Sequence, residues 1–427
     1  MTSGMIDTDV IQEPPRTTPV ADRVDVVVAG GGPAGIAAAL AAAREGARTV
    51  LVERYGYLGG MITGAHVVAI LGVGDGYKPL AQGFTADLRR RLEPLGGIST
   101  WRDAADAGEG GDASSRRHSG EYRVDAELFK WQVAQMLLEE GVTLRLHTLA
   151  CDPIMEGKRV RGVITESKSG RQALLADVTI DASADADLAV RAGVGFDNAS
   201  HEVTLGISIE GVDRARVDAY RQAHPEAYEA VVAEAKRLNG GDMPDGKRLL
   251  RGIDVANAED LTRAEVQLRH EAFSALEYLR AHLPGYERAR VTETLPQLGV
   301  RQGRRIHGEY TVTDEDLRAS RRFDDGIARL GVYFPDWGPI YKIKGLAYDV
   351  PYRCMVPQGV DGLLVAGRCV ASDYVACNTL RLIVPCFATG QAAGAAAAVA
   401  VEVGCEPRQV PIPTLRQALS KQGVYLG

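Results

Sequence analysis

Gly30-Gly31-Gly32-Pro33-Ala34-Gly35 spaces its glycines as G-x-G-x-x-G, a pattern that lets backbone N–H groups reach a phosphate. Each position has a physical job. Gly30 permits a tight turn, Gly32 has no Cβ to block a pyrophosphate, and Gly35 lets the next helix pack close on its strand. Pro33 and Ala34 open that helix, whose N-terminal N–H groups and partial positive charge favour an anion. Glu53, 18 residues beyond Gly35, closes the next apolar strand. There its carboxylate can accept hydrogen bonds from both hydroxyls of an adenosine ribose, and it would repel a 2′-phosphate. The bland alternative is a glycine-rich turn with no ligand. The buried strand before it, the helix after it and the acidic residue at the next strand end argue against that.

Arg54-Tyr55-Gly56-Tyr57-Leu58-Gly59-Gly60-Met61 follows at once. A second glycine pair so soon after the acidic strand suggests backbone running beside a ligand longer than NAD. Flavin adenine dinucleotide (FAD) is such a ligand, and Gly60 joins the candidate cradle. A second motif stands near the C-terminus. Asp361-Gly362-Leu363-Leu364-Val365-Ala366-Gly367-Arg368 reads as a buried strand whose end at Gly367 can meet the ribityl chain. Ala388-Thr389-Gly390-Gln391-Ala392-Ala393-Gly394 then reads as the opening of a helix of tiny side chains. N–H groups at Gly390 and Gln391 would face the N1–C2=O edge of the flavin and stabilise its reduced anion.

These motifs need a scaffold. Val24–Ala29 and Arg48–Glu53 are near-continuous apolar runs, as in a parallel sheet buried on both faces, with an alanine-rich helix over 33–45 closed by Gly46. A helix is expected over 125–140, a strand over 142–150, a hairpin of Val160–Thr165 with Gln172–Leu175, and a short strand Val178–Ile180. Ala150 and Ala182, at strand ends, are counted with the cofactor-binding residues. Val203–Ile209 alternates like an antiparallel strand, and 212–285 is charged and helical, with turn-like interruptions around Gly240–Gly246 and at Pro284. The buried strand and small-residue helix return from Leu363. The fold class is therefore α/β: a Rossmann-like FAD-binding domain with an inserted α+β substrate domain. The expected division is a disordered leader over 1–22, a discontinuous FAD-binding domain over 23–202 and 346–427, and a substrate or cap domain over 203–345. Residues 104–120 read as a mobile loop.

The chain has 427 residues, 45% of them hydrophobic and 25% charged, which excludes wholesale disorder. The 49 Lys and Arg against 56 Asp and Glu leave a net charge of −7, so no basic surface advertises nucleic acid. Six cysteines occur with no pair separated by two residues, and no metal-ligand set emerges. Most of the cysteines read as small buried hydrophobes. The polar N-terminus reads as no signal peptide, and the stretch 388–401 as too short and weak for a membrane span. A cytoplasmic location is the default, and the oligomeric state is left open.

Together these segments resemble the FAD-dependent oxidoreductase family, whose members begin with a GGGPAG cradle followed by ERYGYLGGM. The resemblance extends through VTIDASADADLA (178–189), LGVRQGRRIHGEY (298–310), YDVPYRCMVP (348–357) and GLLVAGRCVAS to ATGQAAG (362–394), in order over most of 23–427. More distantly the layout is similar to fumarate reductase and succinate dehydrogenase flavoproteins. The resemblance implies a glutathione-reductase-like FAD domain and an oxidoreductase acting on a small molecule, with the substrate undefined, and FAD held by Gly30, Gly32, Glu53, Arg54, Gly60, Met61, Gly367, Arg368 and Gly390. Ala184 and Ala186 depart from it, standing where glycine is expected in a D-A-T/S-G-D-G-D segment.

Flavin chemistry needs a substrate C–H over N5 and often a proton-transfer group. His66, shortly after the Gly59–Met61 turn, is one catalytic candidate, with a core-edge histidine as the bland reading. Arg381 is the other. By analogy with the fumarate reductase relatives it would bind a substrate carboxylate or the flavin O2, against an ion pair to Asp373 or Glu402. Arg301, Arg304, Arg305 and His307 form a dense basic segment; with Arg353, Arg301 and His307 are the candidate substrate contacts. A salt-bridge network with Glu309, Asp314, Glu315 and Asp316 is the structural alternative. The expected function is hydride transfer between FAD and a small, anionic organic molecule, its direction undetermined. A flavin-bearing interaction or electron-transfer subunit without turnover is the competing reading.

Overall fold

The computed structural model describes residues 13–75, 77–99, 121–199, 201–241, 243, 248–335 and 345–427. The loop expected over 104–120 lies outside the described residues, as do residues 1–12 of the expected leader.

The fold is mixed α/β around a seven-stranded sheet. In chain order its elements are β1 (Val20–Ala29), helix α1 (Pro33–Arg44), β2 (Thr49–Val52), helix α2 (Ala126–Glu139) and β3 (Thr143–Arg145). Then follow β4 (Leu149–Glu156), β5 (Arg159–Ser167), β6 (Gly170–Asp181), β7 (Leu363–Val365) and helix α3 (Ile383–Val403). The strand order is β3-β2-β1-β6-β5-β4, and β7 pairs with the far end of β6. Strands β3, β2, β1, β6 and β7 run parallel, with Val28 opposite both Leu51 and Ile180. Their carboxyl ends therefore gather along one edge, where open parallel sheets place their ligands.

The apolar runs explain the burial, since every side chain of β2 and the last four of β1 are buried. Strand β1 begins at Val20, inside the span expected to be a disordered leader, because Val20 and Asp22–Val24 find partners on β6. The two strands expected within 172–180 are one, β6. Its first half pairs antiparallel with β5, and its length continues as the parallel neighbour of β1.

Helix α3 is the second surprise. It starts at Ile383 rather than near Ala388, and its 21 residues are long and apolar enough to cross a membrane by length and composition. Here it is a core helix, with 94% of its apolar window buried. It lies along α1 at the closest possible range. A Cβ on Gly390 would stand 2.1 Å from the Ala34 carbonyl oxygen, and one on Gly394 would stand 2.0 Å from that of Ala38.

Between the two halves of the sheet, His201–Leu205 pairs antiparallel with Arg248–Ile253 and with Gly299–Val300, while Ile207–Glu210 pairs with Arg290–Thr294. The single alternating strand expected over 203–209 is thus broken at Gly206, where a Cβ would meet the Leu295 side chain at 2.4 Å. The strand Arg248–Ile253 falls in a stretch expected to be helical. Helices Arg214–Ala223, Pro225–Leu238 and Ala258–His282 fill most of the described remainder, and most of the turn expected around Gly240–Gly246 lies outside the described residues.

Candidate functional site

A cavity of about 590 Å³ opens along the carboxyl edge of the sheet and is closed on its other side by residues from 255–265, 297–304 and Phe334. Its first wall is the turn between β1 and α1. Gly30 has φ +108°, and a Cβ there would collide with the Ala182 carbonyl oxygen at 2.4 Å, so only glycine fits. Gly32 precedes α1 in extended backbone, and a Cβ on it would meet nothing closer than the Gly60 Cα at 3.9 Å. The bare backbone at Gly32 therefore faces the cavity. No side chain caps α1, which begins with Pro33, so its first-turn N–H groups are left for a ligand. Gly35 serves packing instead. It is absent from the cavity wall, and a Cβ there would sit 1.7 Å from the Gly30 carbonyl oxygen.

The loop after β2 is built back to back with this turn. Glu53 is buried, and its carboxylate accepts hydrogen bonds from the Gly31 N–H at 2.6 Å and the Tyr55 N–H at 2.9 Å. That fixes both loops to one acid and leaves the carboxylate's further acceptor sites at the cavity wall. The Gly59 N–H donates to the Gly31 carbonyl at 2.8 Å, and a Cβ on Gly60 would touch the Gly32 Cα at 2.9 Å. The second glycine pair is thus required by the meeting of two backbones, besides any ligand.

Past β6, Asp181 is fully buried and accepts from the N–H groups of Ser183, Leu188 and Ala189 and from the Ser183 hydroxyl. The resulting turn holds Ala184 at φ 77° and Ala186 at φ 55°. These alanines adopt the left-handed backbone that the expected glycines would take, and Ala182, Ser183, Ala184 and Asp185 all reach the cavity. Two ion pairs lock the turn to distant segments: Asp185 to Arg368 at 2.7 Å and Asp187 to Arg304 at 2.9 Å. Burial, with the charges of Asp181 and Asp185, raises the Asp187 carboxyl above its ordinary value.

The C-terminal wall comes from the end of β7 and the start of α3. Gly367 has φ 90°, and its N–H donates to the Thr389 hydroxyl at 3.1 Å. Because α3 begins at Ile383, the residues at the cavity are Leu382, Ile383 and Cys386, and the expected exposure of Gly390 and Gln391 does not arise. Gly390 is consumed by the crossing with α1. Gln391 accepts from the Phe84 N–H at 3.0 Å and meets Gln422, away from the cavity.

Arg301 and Arg381 share the cavity wall. Burial lowers the Arg301 guanidinium to about 10, with the charge of Arg381 acting in the same direction and Glu202 opposing it. Burial likewise lowers Arg381, which lies 5.7 Å from the centre of the Phe334 ring. Both arginines remain charged at neutral pH.

The other chemical candidates are elsewhere. His66, at φ 45°, is half-buried and off the cavity wall, although its neighbours Val67 and Ala69 are on it. Arg353 is half-exposed and committed to Asp325 at 2.9 Å, and His307 pairs with Asp197 at 3.6 Å on the surface. Both are paired, but with Asp325 and Asp197 rather than with the expected Glu309, Asp314, Glu315 or Asp316. Among the described residues no group of His, Cys, Asp or Glu could hold a metal. Cavity residues that the sequence did not single out include Tyr57, Asp185, Asp187, Glu265, Gln297 and Phe334. Asp185, Asp187, Gln297 and Phe334 reach the cavity through partners far away in the chain, which no local pattern marks.

The donor set fits a flavin dinucleotide: a Cβ-free phosphate approach at Gly32, an acid at the neighbouring strand end, and one continuous cavity reaching the second glycine strand end at Gly367. The family described as FAD dependent oxidoreductase matches residues 25–419. The chain is 30% identical over 177 residues to a digeranylgeranylglycerophospholipid reductase of Methanoculleus marisnigri, covering 40% of this chain and 42% of that protein. The similarity thus spans less than half of that relative's length. Among solved structures, the flavin-dependent brominase Bmp2 shares 13% identity over 93% of this chain and 84% of its own, with a TM-score of 0.46. The L-amino acid deaminase of Proteus myxofaciens shares 14% over 95% and 96%, with a TM-score of 0.43. The THI4 structure from Thermovibrio ammonificans shares 21% over 41% of this chain and 64% of its own, with a TM-score of 0.29.

Proposed function

Because the chain belongs to the FAD-dependent oxidoreductase family, we propose that it moves a hydride between flavin N5 and a small anionic molecule held by Arg301 and Arg381. FAD, when bound, supplies the two-electron centre that takes or gives the hydride. The chain supplies the rest. Gly30, Gly32, Ala34, Glu53 and Gly60 would hold the adenylate half, and Gly367 and Arg368 the flavin half. In this reading 23–202 and 346–427 carry the cofactor, and 203–345 covers it.

The observation that carries the substrate class is the arginine pair. Two half-buried guanidinium groups share one cavity wall, where the charge of Arg381 adds to burial in lowering the basicity of Arg301. A carboxylate placed between them would relieve that repulsion, and its fork-shaped acceptors suit guanidinium donors. The cavity walls would also exclude water from the reacting carbon.

Anaerobic mixing of the holoprotein with panels of carboxylates, alcohols and amines tests this. Carboxylates are expected to bleach the oxidised flavin, or to restore the colour of the photoreduced one. Arg381→Gln and Arg301→Gln should each raise the KM of an active carboxylate by about 10-fold or more. Neutral compounds acting equally well, with both variants unaffected, would overturn the anionic substrate. A flavin indifferent to every compound would favour a subunit without turnover.

A further inference from the structure

Tyr57 and Gln297 meet at the cavity wall from opposite sides, one in the loop after Glu53 and the other two residues before the strand Gly299–Val300. The Gln297 Nε2 donates to the Tyr57 hydroxyl oxygen at 2.8 Å. Gln297 is itself tightly placed. It is buried, its backbone N–H donates to the Gly64 carbonyl at 3.0 Å, and a Cβ on Gly64 would strike its Cδ at 2.5 Å. The Tyr57 ring stacks on Tyr55 with centroids 5.5 Å apart, and the Lys130 ammonium stands 5.2 Å from its centre.

Hydrogen-bond accounting gives this pair its direction. The Tyr57 oxygen accepts from Gln297, so its own proton needs a different acceptor, and among the described residues none takes it. Burial raises the phenol above its ordinary value, so Tyr57 stays protonated and remains a donor at neutral pH. Three residues further on, Gly60 touches Gly32 of the phosphate turn, which puts Tyr57 on the same loop as the cradle. The middle of a dinucleotide, with its pyrophosphate and ribityl hydroxyls, is rich in oxygen acceptors.

We propose that Tyr57 is a binding residue for FAD, donating its O–H to an oxygen in the middle of the cofactor, and that Gln297 is the positioning residue that aims it. The covering segment thereby fastens the cofactor in place through Tyr57. Cofactor retention then depends on a side chain outside both glycine motifs, whatever the substrate.

Dilution of the holoprotein, with flavin fluorescence followed as the cofactor leaves, reads this directly. Tyr57→Phe keeps the ring stack on Tyr55 and removes only the donor, so release should be about 3- to 10-fold faster at an unchanged apoprotein unfolding midpoint. Gln297→Leu keeps most of the volume without the amide and should accelerate release less. The double variant should fall short of the product of the two effects, because both act through one hydrogen bond. Equal release from Tyr57→Phe and wild type overturns the proposal, and multiplicative losses in the double variant overturn the part given to Gln297. Should Tyr57→Phe fail to fold, unchanged release from Gln297→Leu overturns the pairing by itself.

Discussion

Ala184 and Ala186 carry a backbone cost, which in Ala186 is partly offset by a methyl buried in the core. Both sit at positive φ, where a Cβ crowds the backbone, and both line or underlie the turn that meets the cavity. Asp181 supplies the compensation, taking four hydrogen bonds at the base of the turn. Ala184→Gly should therefore stabilise the protein by about 0.5–1 kcal/mol, net of glycine's extra unfolded-state freedom, and Ala186→Gly by less, because it also removes a buried methyl. Denaturant unfolding of the two variants checks this, and unchanged or lowered midpoints would contradict it. The departure from the expected glycines was legible in the sequence. Its outcome was not, because only the Asp181 network shows why alanine is forced into a glycine conformation. The same limit applies to Arg301 and Arg381. Their types were readable, but their nearness depends on packing between segments 80 residues apart in number. His66, Arg353 and His307 misled because sequence proximity to a motif does not set the direction of a side chain.

At the scale of elements, the crossing of α1 and α3 positions everything else. Both helices use glycine and alanine at the contact, so their backbones touch, and α1 holds its N-terminus at the phosphate turn. Gly390→Ala or Gly394→Ala would drive a methyl into a carbonyl oxygen at about 2 Å separation. Each should destabilise the fold by about 1–3 kcal/mol, the usual range for overpacking, and loosen the cofactor by shifting α1. Thermal unfolding with and without added FAD measures both effects. A Gly390→Ala protein of unchanged stability would contradict the close crossing. The parallel strands at the first motif were legible as buried apolar runs, the first of them followed by glycine. The start of α3 was not, because Ile383-Val384-Pro385-Cys386-Phe387 has no capping residue, and the proline marks a first turn only once the helix is known. The fusion of two expected strands into β6 was hidden for a related reason: its partner changes along its length while the strand continues.

Across the whole molecule, the first and last segments of the chain complete one sheet, β7 lying beside β6 although about 180 residues separate them in sequence. The cavity is bounded by both, with the antiparallel strands and helices between them as its cover. The central claim is that this enclosure is a binding site for one flavin dinucleotide. The visible absorption spectrum of the purified protein, with the flavin quantified after acid precipitation, tests it most directly. A flavin band with about one FAD per chain is predicted, as is its loss on placing a valine side chain at Gly32. A colourless protein that takes up no FAD on incubation would contradict it.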